Sequence, residues 1–234
     1  MPVHDAEGRR MTGRHSGWGR SRAAGVLAVL LLAVFAALTA AAAIHPGPFA
    51  AEQWWADLVS AHRTGALTSV ARVFNALGRF PWSPLIVGLA TVVVWRARIA
   101  AGVATLLAGE AVSWTISTVT KVAVGRPRPP GGLIAPISSS YPSGHTAFAT
   151  VTAVLLVGLL CARERRWPWA VLAAVFALGM AWSRTYLMVH WLGDVAGGLT
   201  LGAAAGLGAL SVRGWWLQRT SYTTDEERED PACS

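Results

Sequence analysis

The sequence predicts an all-α, polytopic membrane bundle of six transmembrane helices with an interfacial helix after the first. Two observations carry this. Hydrophobic residues make up 53% of the 234 residues and charged ones only 14%, a balance too oily for a soluble chain of this length. The apolar residues also gather into runs close to the roughly 20 helical residues that a hydrocarbon core of about 30 Å requires. Six such crossings leave short loops and no room for a separate soluble domain.

The elements follow in order. Residues 1–22 form a polar tail carrying Arg9, Arg10, Arg14, Arg20 and Arg22. Residues 23–44 are an unbroken apolar run, either a first span or a signal peptide; the run is longer than the usual signal core of about 7 to 15 residues, which favours a retained span. Pro46 and Pro48 end it. Over 52–78, Glu52, Asp57, Arg63 and Arg72 recur among apolar residues at roughly helical spacing, which predicts a helix lying on the membrane surface. Residues 84–95 are short for a second span and are expected to tilt or to borrow residues from Phe80 onward. Residues 99–120 make the third span, with Glu110 at its middle. Pro and Gly over 121–142 predict a loop. Residues 146–161, 169–184 and 191–212 make the remaining spans of a membrane domain over 23–212. Residues 213–234 read as a disordered tail with an acidic end at 225–230.

Nineteen of the twenty basic residues are Arg, and the only Lys is Lys121. Distributed over alternating sides, thirteen fall with the two termini and seven opposite, so both termini are expected to be cytoplasmic. The net charge of +8 is then an orientation signal. With no nucleic-acid module in the sequence, nucleic acid is not an expected partner. Lys121, Arg126, Arg128 and Arg184 run against the bias, and a bound anion would account for them. Cys161 and Cys233 make neither a disulfide framework nor a metal spacing. Trp82, Trp95, Trp167, Trp169, Trp182, Trp191, Trp215 and Trp216 fall near span ends, as interfacial indoles should. Gly198, Gly202 and Gly206 strip one face of the sixth span. Such a stripe serves packing within the chain or, as the less favoured alternative, a homodimer contact.

Three outer segments hold most of the polar residues: 121–129 (KVAVGRPRP), 141–145 (YPSGH) and 183–194 (SRTYLMVHWLGD). Arg forks and a Lys point charge suit a phosphoryl group. Ser143 and Gly144, just before the fourth span, offer backbone N–H groups and a positive helix end. His190 and Asp194, four apart, are expected to share a helix face, so the carboxylate can hold one imidazole nitrogen protonated and leave the other free to attack. His145, from another helix, can protonate a leaving oxygen. Each cation alone reads as a snorkelling anchor, and the His-Asp pair alone as a helix contact. Their convergence on one membrane face argues against those readings.

The spacing Lys121, six residues, Arg128-Pro129; Pro142-Ser143-Gly144-His145; and Ser183-Arg184, five residues, His190, three residues, Asp194 resembles the three-part signature of the type-2 phosphatidic acid phosphatase superfamily. That superfamily includes membrane lipid phosphate phosphatases and bacterial undecaprenyl-diphosphatases, and shares its site with vanadium haloperoxidases. The resemblance covers roughly 99–212. It implies that Lys121, Arg128 and Arg184 bind the phosphoryl oxygens with Ser143 and Gly144. It further implies that His190 forms a phosphohistidine oriented by Asp194, and that His145 protonates the leaving group and then activates water. It implies no metal and no cofactor, and the sequence offers no second carboxylate near the site.

The expected substrate is a membrane lipid phosphate: undecaprenyl diphosphate first, then phosphatidic acid or phosphatidylglycerol phosphate. The expected location is the plasma membrane with the site facing outward. A non-catalytic lipid-phosphate binder or transporter would use the same cations but needs no nucleophile, and a haloperoxidase would not need six spans. Arg126 lacks the family spacing and reads as a solvated loop charge, with steering of an anionic substrate as the less favoured alternative. Glu110, a mid-span carboxyl that could serve function, reads in preference as a protonated, hydrogen-bonded group inside the bundle, with Ser113, Ser117 and Thr118 as neighbours.

Overall fold

No proline interrupts residues 5–44 or 192–229, and the helices there run far beyond a single crossing: α1 (Asp5–Ile44) and α8 (Leu192–Glu229). Extending an existing helix costs less than nucleating a new one. Residues 213–229, expected as a disordered tail, therefore continue α8. The computed structural model describes residues 5–135 and 138–229, so Cys233 and the last acidic residue, Asp230, lie outside the described residues. Between the long helices come α2 (Ala50–Ala61), α3 (Gly65–Leu77), α4 (Trp82–Arg96), α5 (Gly102–Val124) and α6 (Gly144–Leu160). A 3-10 turn (Arg163–Arg165) then leads into α7 (Arg166–Tyr186). Among the described residues there is no strand. Ser21–Ile44 and Leu192–Thr220 are each long and apolar enough to cross a membrane, and α3 with α4 forms a third candidate, bent by 60°.

Two boundaries differ from the sequence reading. The single surface helix over 52–78 is two helices. Thr64 starts the second by accepting a hydrogen bond from the Leu67 N–H at 3.3 Å, and α3 rests on α7. The third span also runs beyond Thr120 to Val124 and stops at Gly125, whose φ of 62° is the left-handed cap that ends many helices. Lys121 thus stands on a rigid helix and not in the loop.

The core forms where α4, α5, α6 and α8 meet. Ala90, Val94, Leu106, Val151, Leu155 and Ala205 are buried there together. Val92, Trp114, Val119, Val171 and Val175 are exposed, an apolar outer surface suited to lipid. Six of the span-end tryptophans are exposed as an interfacial belt requires. Trp182 is half-buried against Tyr186, and Trp191 is buried and donates its indole N–H to the Pro127 carbonyl at 3.0 Å. Thr152 on α6 donates to Glu110 on α5 at 2.5 Å, so Glu110 is hydrogen-bonded between helices, with Thr152 as partner in place of the sequence neighbours.

The glycine stripe of α8 seats α6 of the same chain. A methyl group at Gly198 would lie 2.6 Å from the Ser143 carbonyl oxygen, and one at Gly202 would lie 2.5 Å from that of Ala147. This is the intramolecular reading of the stripe, and it leaves no room for a second copy on this face. Gly202→Ala is expected to cost about 1–3 kcal/mol by overpacking. A lowered thermal midpoint in detergent checks this, and an unchanged one would mean that the helices can part freely. The close approach has a consequence for the site. It brings the start of α6 against the start of α8, where the Ser143 N–H donates to the Asp194 carbonyl at 2.9 Å.

Candidate active site

A cavity of about 540 Å3 opens at the end of the bundle where α3, α5, α6 and α7 approach the loop before α8. Its walls include Lys121, Arg128, Gly144, His145, Arg184 and His190, six of the eight residues expected from sequence. They come from two helix ends (Lys121, Arg184), one helix start (Gly144, His145) and two loops (Arg128, His190), so tertiary packing assembles them. The other two, Ser143 and Asp194, are fully buried behind the wall. The Ser143 hydroxyl accepts from Thr146 Oγ1 at 3.0 Å, and its N–H is taken by Asp194. The first-turn N–H groups left to α6 therefore begin at Gly144, followed by that of His145.

The cations are held by neutral groups. Lys121 Nζ donates to the carbonyls of Pro142, Ser139 and Ser140 at 2.5, 3.2 and 3.4 Å. Arg128 donates to the carbonyls of Ser138 at 2.8 Å, Val189 at 2.5 Å and Ser139 at 3.1 Å. Arg184, buried on α7, donates through Nη1 to Asn75 Oδ1, while its Nε has no partner. Among the described residues none of these three meets a carboxylate within ion-pair distance. Holding three positive charges around one partly dehydrated cavity is costly unless an anion occupies it.

The histidine geometry fixes a tautomer. Arg128 Nη1 lies 3.2 Å from His190 Nε2. A guanidinium has only donors, so Nε2 carries the lone pair and Nδ1 the proton. Nδ1 faces Asp194 Oδ2 at 3.4 Å, inside ion-pair range though not aligned as a hydrogen bond. His190 precedes α8, which begins at Leu192; the pair therefore meets across the helix start and not along one helix face. Asp194 Oδ2 is held by the Trp191 N–H at 2.8 Å. Burial, joined by the positive charges of Arg184, Arg128 and Lys121, pushes the His190 imidazole well below the ordinary histidine pKa, so it is neutral at neutral pH. His145 Nε2 is buried without a partner. Its ring lies against Gly78, where a side chain would collide with it.

Arg126 overturns its sequence reading. It is 1% exposed and bridges two carboxylates: Nη1 donates to Asp194 Oδ1 at 2.8 Å, and Nη2 to Glu52 Oε2 at 2.6 Å. Glu52, on α2, is thus a second carboxylate near the site, contrary to expectation. Sequence also gave no sign of Asn75 or of Arg79, which stands exposed on the cavity wall. Asn75 falls within the expected surface helix and Arg79 just beyond it. The one usable signal was that Arg126 ran against the charge bias, and its partners turn out to be carboxylates of the protein.

Known proteins resemble this chain in sequence and in fold. Phosphatidylglycerophosphatase B of Escherichia coli is 39% identical over 80 residues, covering 34% of this chain and 30% of that enzyme's own length. The undecaprenyl-diphosphatase of Sulfolobus acidocaldarius is 27% identical over 154 residues, 62% of this chain and 70% of that one. In three dimensions the chain resembles the transmembrane PAP2 type phosphatidylglycerolphosphate phosphatase from Bacillus subtilis, with a TM-score of 0.66 and 25% identity over 82% of this chain and 96% of that one. The family model of the PAP2 superfamily matches residues 101–218, a stretch that holds all three motifs and every expected site residue, and the chain belongs to that superfamily.

Proposed function

We propose that this membrane protein is a lipid phosphatase that hydrolyses a phosphomonoester or diphosphate of a membrane lipid, with undecaprenyl diphosphate ranked before phosphatidic acid and phosphatidylglycerol phosphate. The observation that carries the reading is the cavity itself: three cations without carboxylate partners face a neutral imidazole whose lone pair is on Nε2. Six spans with both termini cytoplasmic would place this cavity at the outer surface of the plasma membrane. There a lipid can present its headgroup without leaving the bilayer.

The steps follow from the residues. The incoming phosphoryl oxygens take over Arg128, together with Lys121, Arg184 and the Gly144 N–H, and so release His190 Nε2. Burial and the charge of Arg184 hold the pKa of His145 down to about 2, so it takes up its proton with the substrate, whose negative charge offsets both. As the bond from Nε2 to phosphorus forms, the bond from phosphorus to the leaving oxygen breaks, and His145 gives that oxygen the proton. A water then attacks phosphorus, losing its proton to His145, and the N–P bond breaks to free phosphate and restore both histidines. Asp194 faces the imidazole Nδ1–H throughout and offsets the positive charge that the ring gains. The two carboxylates near the site are both engaged by Arg126, which supports a reaction without a metal.

The test is phosphate release from undecaprenyl diphosphate, phosphatidic acid and phosphatidylglycerol phosphate by the purified full-length protein in detergent with excess chelator. Release undiminished by the chelator is expected, and the relative kcat/KM values rank the substrates. Binding of the lipids without release would favour a non-catalytic role, and loss of activity with chelator would overturn the metal-free mechanism.

A further inference from the structure

Arg126 spends all five of its N–H donors inside the protein. Besides the two ion pairs, Nη1 reaches Glu52 Oε1 at 3.2 Å, Nε the Pro46 carbonyl at 3.3 Å, and Nη2 the Gly47 carbonyl at 3.0 Å. No donor is left for a ligand, so Arg126 belongs to the support of the site and not to its anion cradle. Glu52 is as fully engaged. Its Oε2 also accepts from the Phe49 N–H at 2.8 Å, and its Oε1 from the N–H of Gly193 at 2.8 Å, the residue before Asp194. Glu52 is 4% exposed and lies outside the stretch 101–218 matched by the family.

The charges decide what this chain of contacts does. Asp194 can stabilise positive charge on His190 only while it presents net negative charge to Nδ1. Arg126 on its other oxygen would cancel that charge. Glu52 cancels Arg126 in turn, leaving one net negative charge on the three groups behind the nucleophile. On the opposite side the cavity brings cations toward His190: Lys121 from α5, Arg128 from the loop before α6, Arg184 from α7 and Arg79 from the turn after α3, with His145 of α6 on the same wall. Asp194 of α8 is the anion next to the imidazole. Its effective charge therefore governs how basic, and so how nucleophilic, Nε2 is.

We propose that Glu52 is a positioning residue for the reaction: through Arg126 it maintains the negative charge of Asp194, and through the Gly193 N–H it fixes the start of α8 on which Asp194 stands. The proposal rests on the phosphatase reading above for its kinetic consequences and on the geometry alone for its electrostatic one.

Glu52→Gln keeps the size of the side chain and removes the charge. With phosphatidic acid as substrate, kcat is expected to fall about 10- to 100-fold, the range carried by outer partners of reacting groups, with KM changed less than about twofold. The acid limb of kcat/KM is expected to move to lower pH, because an imidazole with less negative charge behind it holds its proton less well. Glu52→Asp, which retains the charge, should recover part of kcat and return the limb toward its wild-type position. The same shift is read without turnover by nitrogen-15 NMR titration of His190 in the full-length protein in detergent, its signal assigned by its absence from His190→Gln. A Glu52→Gln protein with a wild-type limb and an unmoved His190 titration would overturn the proposal. So would equal losses in the Gln and Asp variants that track only a lowered thermal midpoint, because that is a folding role. A wild type that releases no phosphate would defeat the phosphatase reading, while the NMR shift would still decide the role of Glu52.

Discussion

Replacing His190 with glutamine is expected to lower phosphate release about 10,000-fold or more, the scale on which loss of a nucleophile or of its base acts in covalent catalysis. The argument is geometric. Nε2 of His190 is the one imidazole lone pair in the cavity that is already in contact with a cation of the cradle, Arg128 at 3.2 Å, and an anion bound by that cation necessarily approaches the same atom. A glutamine oxygen can accept from Arg128 but cannot transfer a phosphoryl group to water. The fold should barely register the change, so thermal midpoints of the two proteins should agree within a few degrees. The pH dependence carries a second check. A neutral imidazole is the attacking form, and its pKa is held well below 6.5 by burial and by Arg184, Arg128 and Lys121. Nucleophilicity is therefore fully present above that depressed value and is lost only as pH falls through it. Lowering the pH from neutrality through 6.5 should leave the His190-governed limb of wild-type kcat/KM flat. Residual activity of more than about one part in a hundred in His190→Gln would point to direct attack by water and remove the phosphohistidine from the mechanism.

What the sequence made legible follows the range of the interaction concerned. Helices are local, and apolar runs marked out the helical segments of the bundle because a span declares itself within its own 20 or so residues. The motif residues were legible because their spacing is also local, and the structure brings six of them to one cavity. Errors gather where a residue answers to a distant partner. Proline and glycine nearby hid the helical turn that carries Lys121, although the apolar residues Val122 to Val124 continue the span. Arg126 had no nearby carboxylate in sequence: Glu52 is 74 residues before it and Asp194 is 68 after. Asn75 lies 109 residues from Arg184. Nothing in the alternation of polar and apolar residues over 52–78 distinguishes a glutamate at a membrane surface from one buried against an arginine.

The largest effect on stability should come from Arg126. Replacing it with methionine is expected to cost about 3–5 kcal/mol, because removing one partner of a buried ion pair leaves uncompensated charge in a low dielectric. Here it strands two carboxylates, Glu52 at 4% and Asp194 at 0% exposure, and frees the carbonyls of Pro46 and Gly47 as well. For a chain of this size that corresponds to a thermal midpoint lower by about 10 °C, measured in detergent by circular dichroism. Arg126→Lys should rescue little of it, because an ammonium has three donors on one atom and cannot span Glu52, Asp194 and two carbonyls as the planar fork does. The informative comparison is Arg126→Met combined with Glu52→Leu. If the cost lies in stranded charge, the double variant regains a substantial part of the midpoint, since an apolar pair of similar volume removes one of the two orphaned carboxylates. It should regain activity only in part: Asp194 alone again presents one net negative charge to His190, but the Glu52 contact that holds the Gly193 N–H is gone. Additive losses in the double variant would instead mean that Arg126 and Glu52 stabilise the protein through separate packing contacts, and the buried chain from α2 to the nucleophile would not act as a unit.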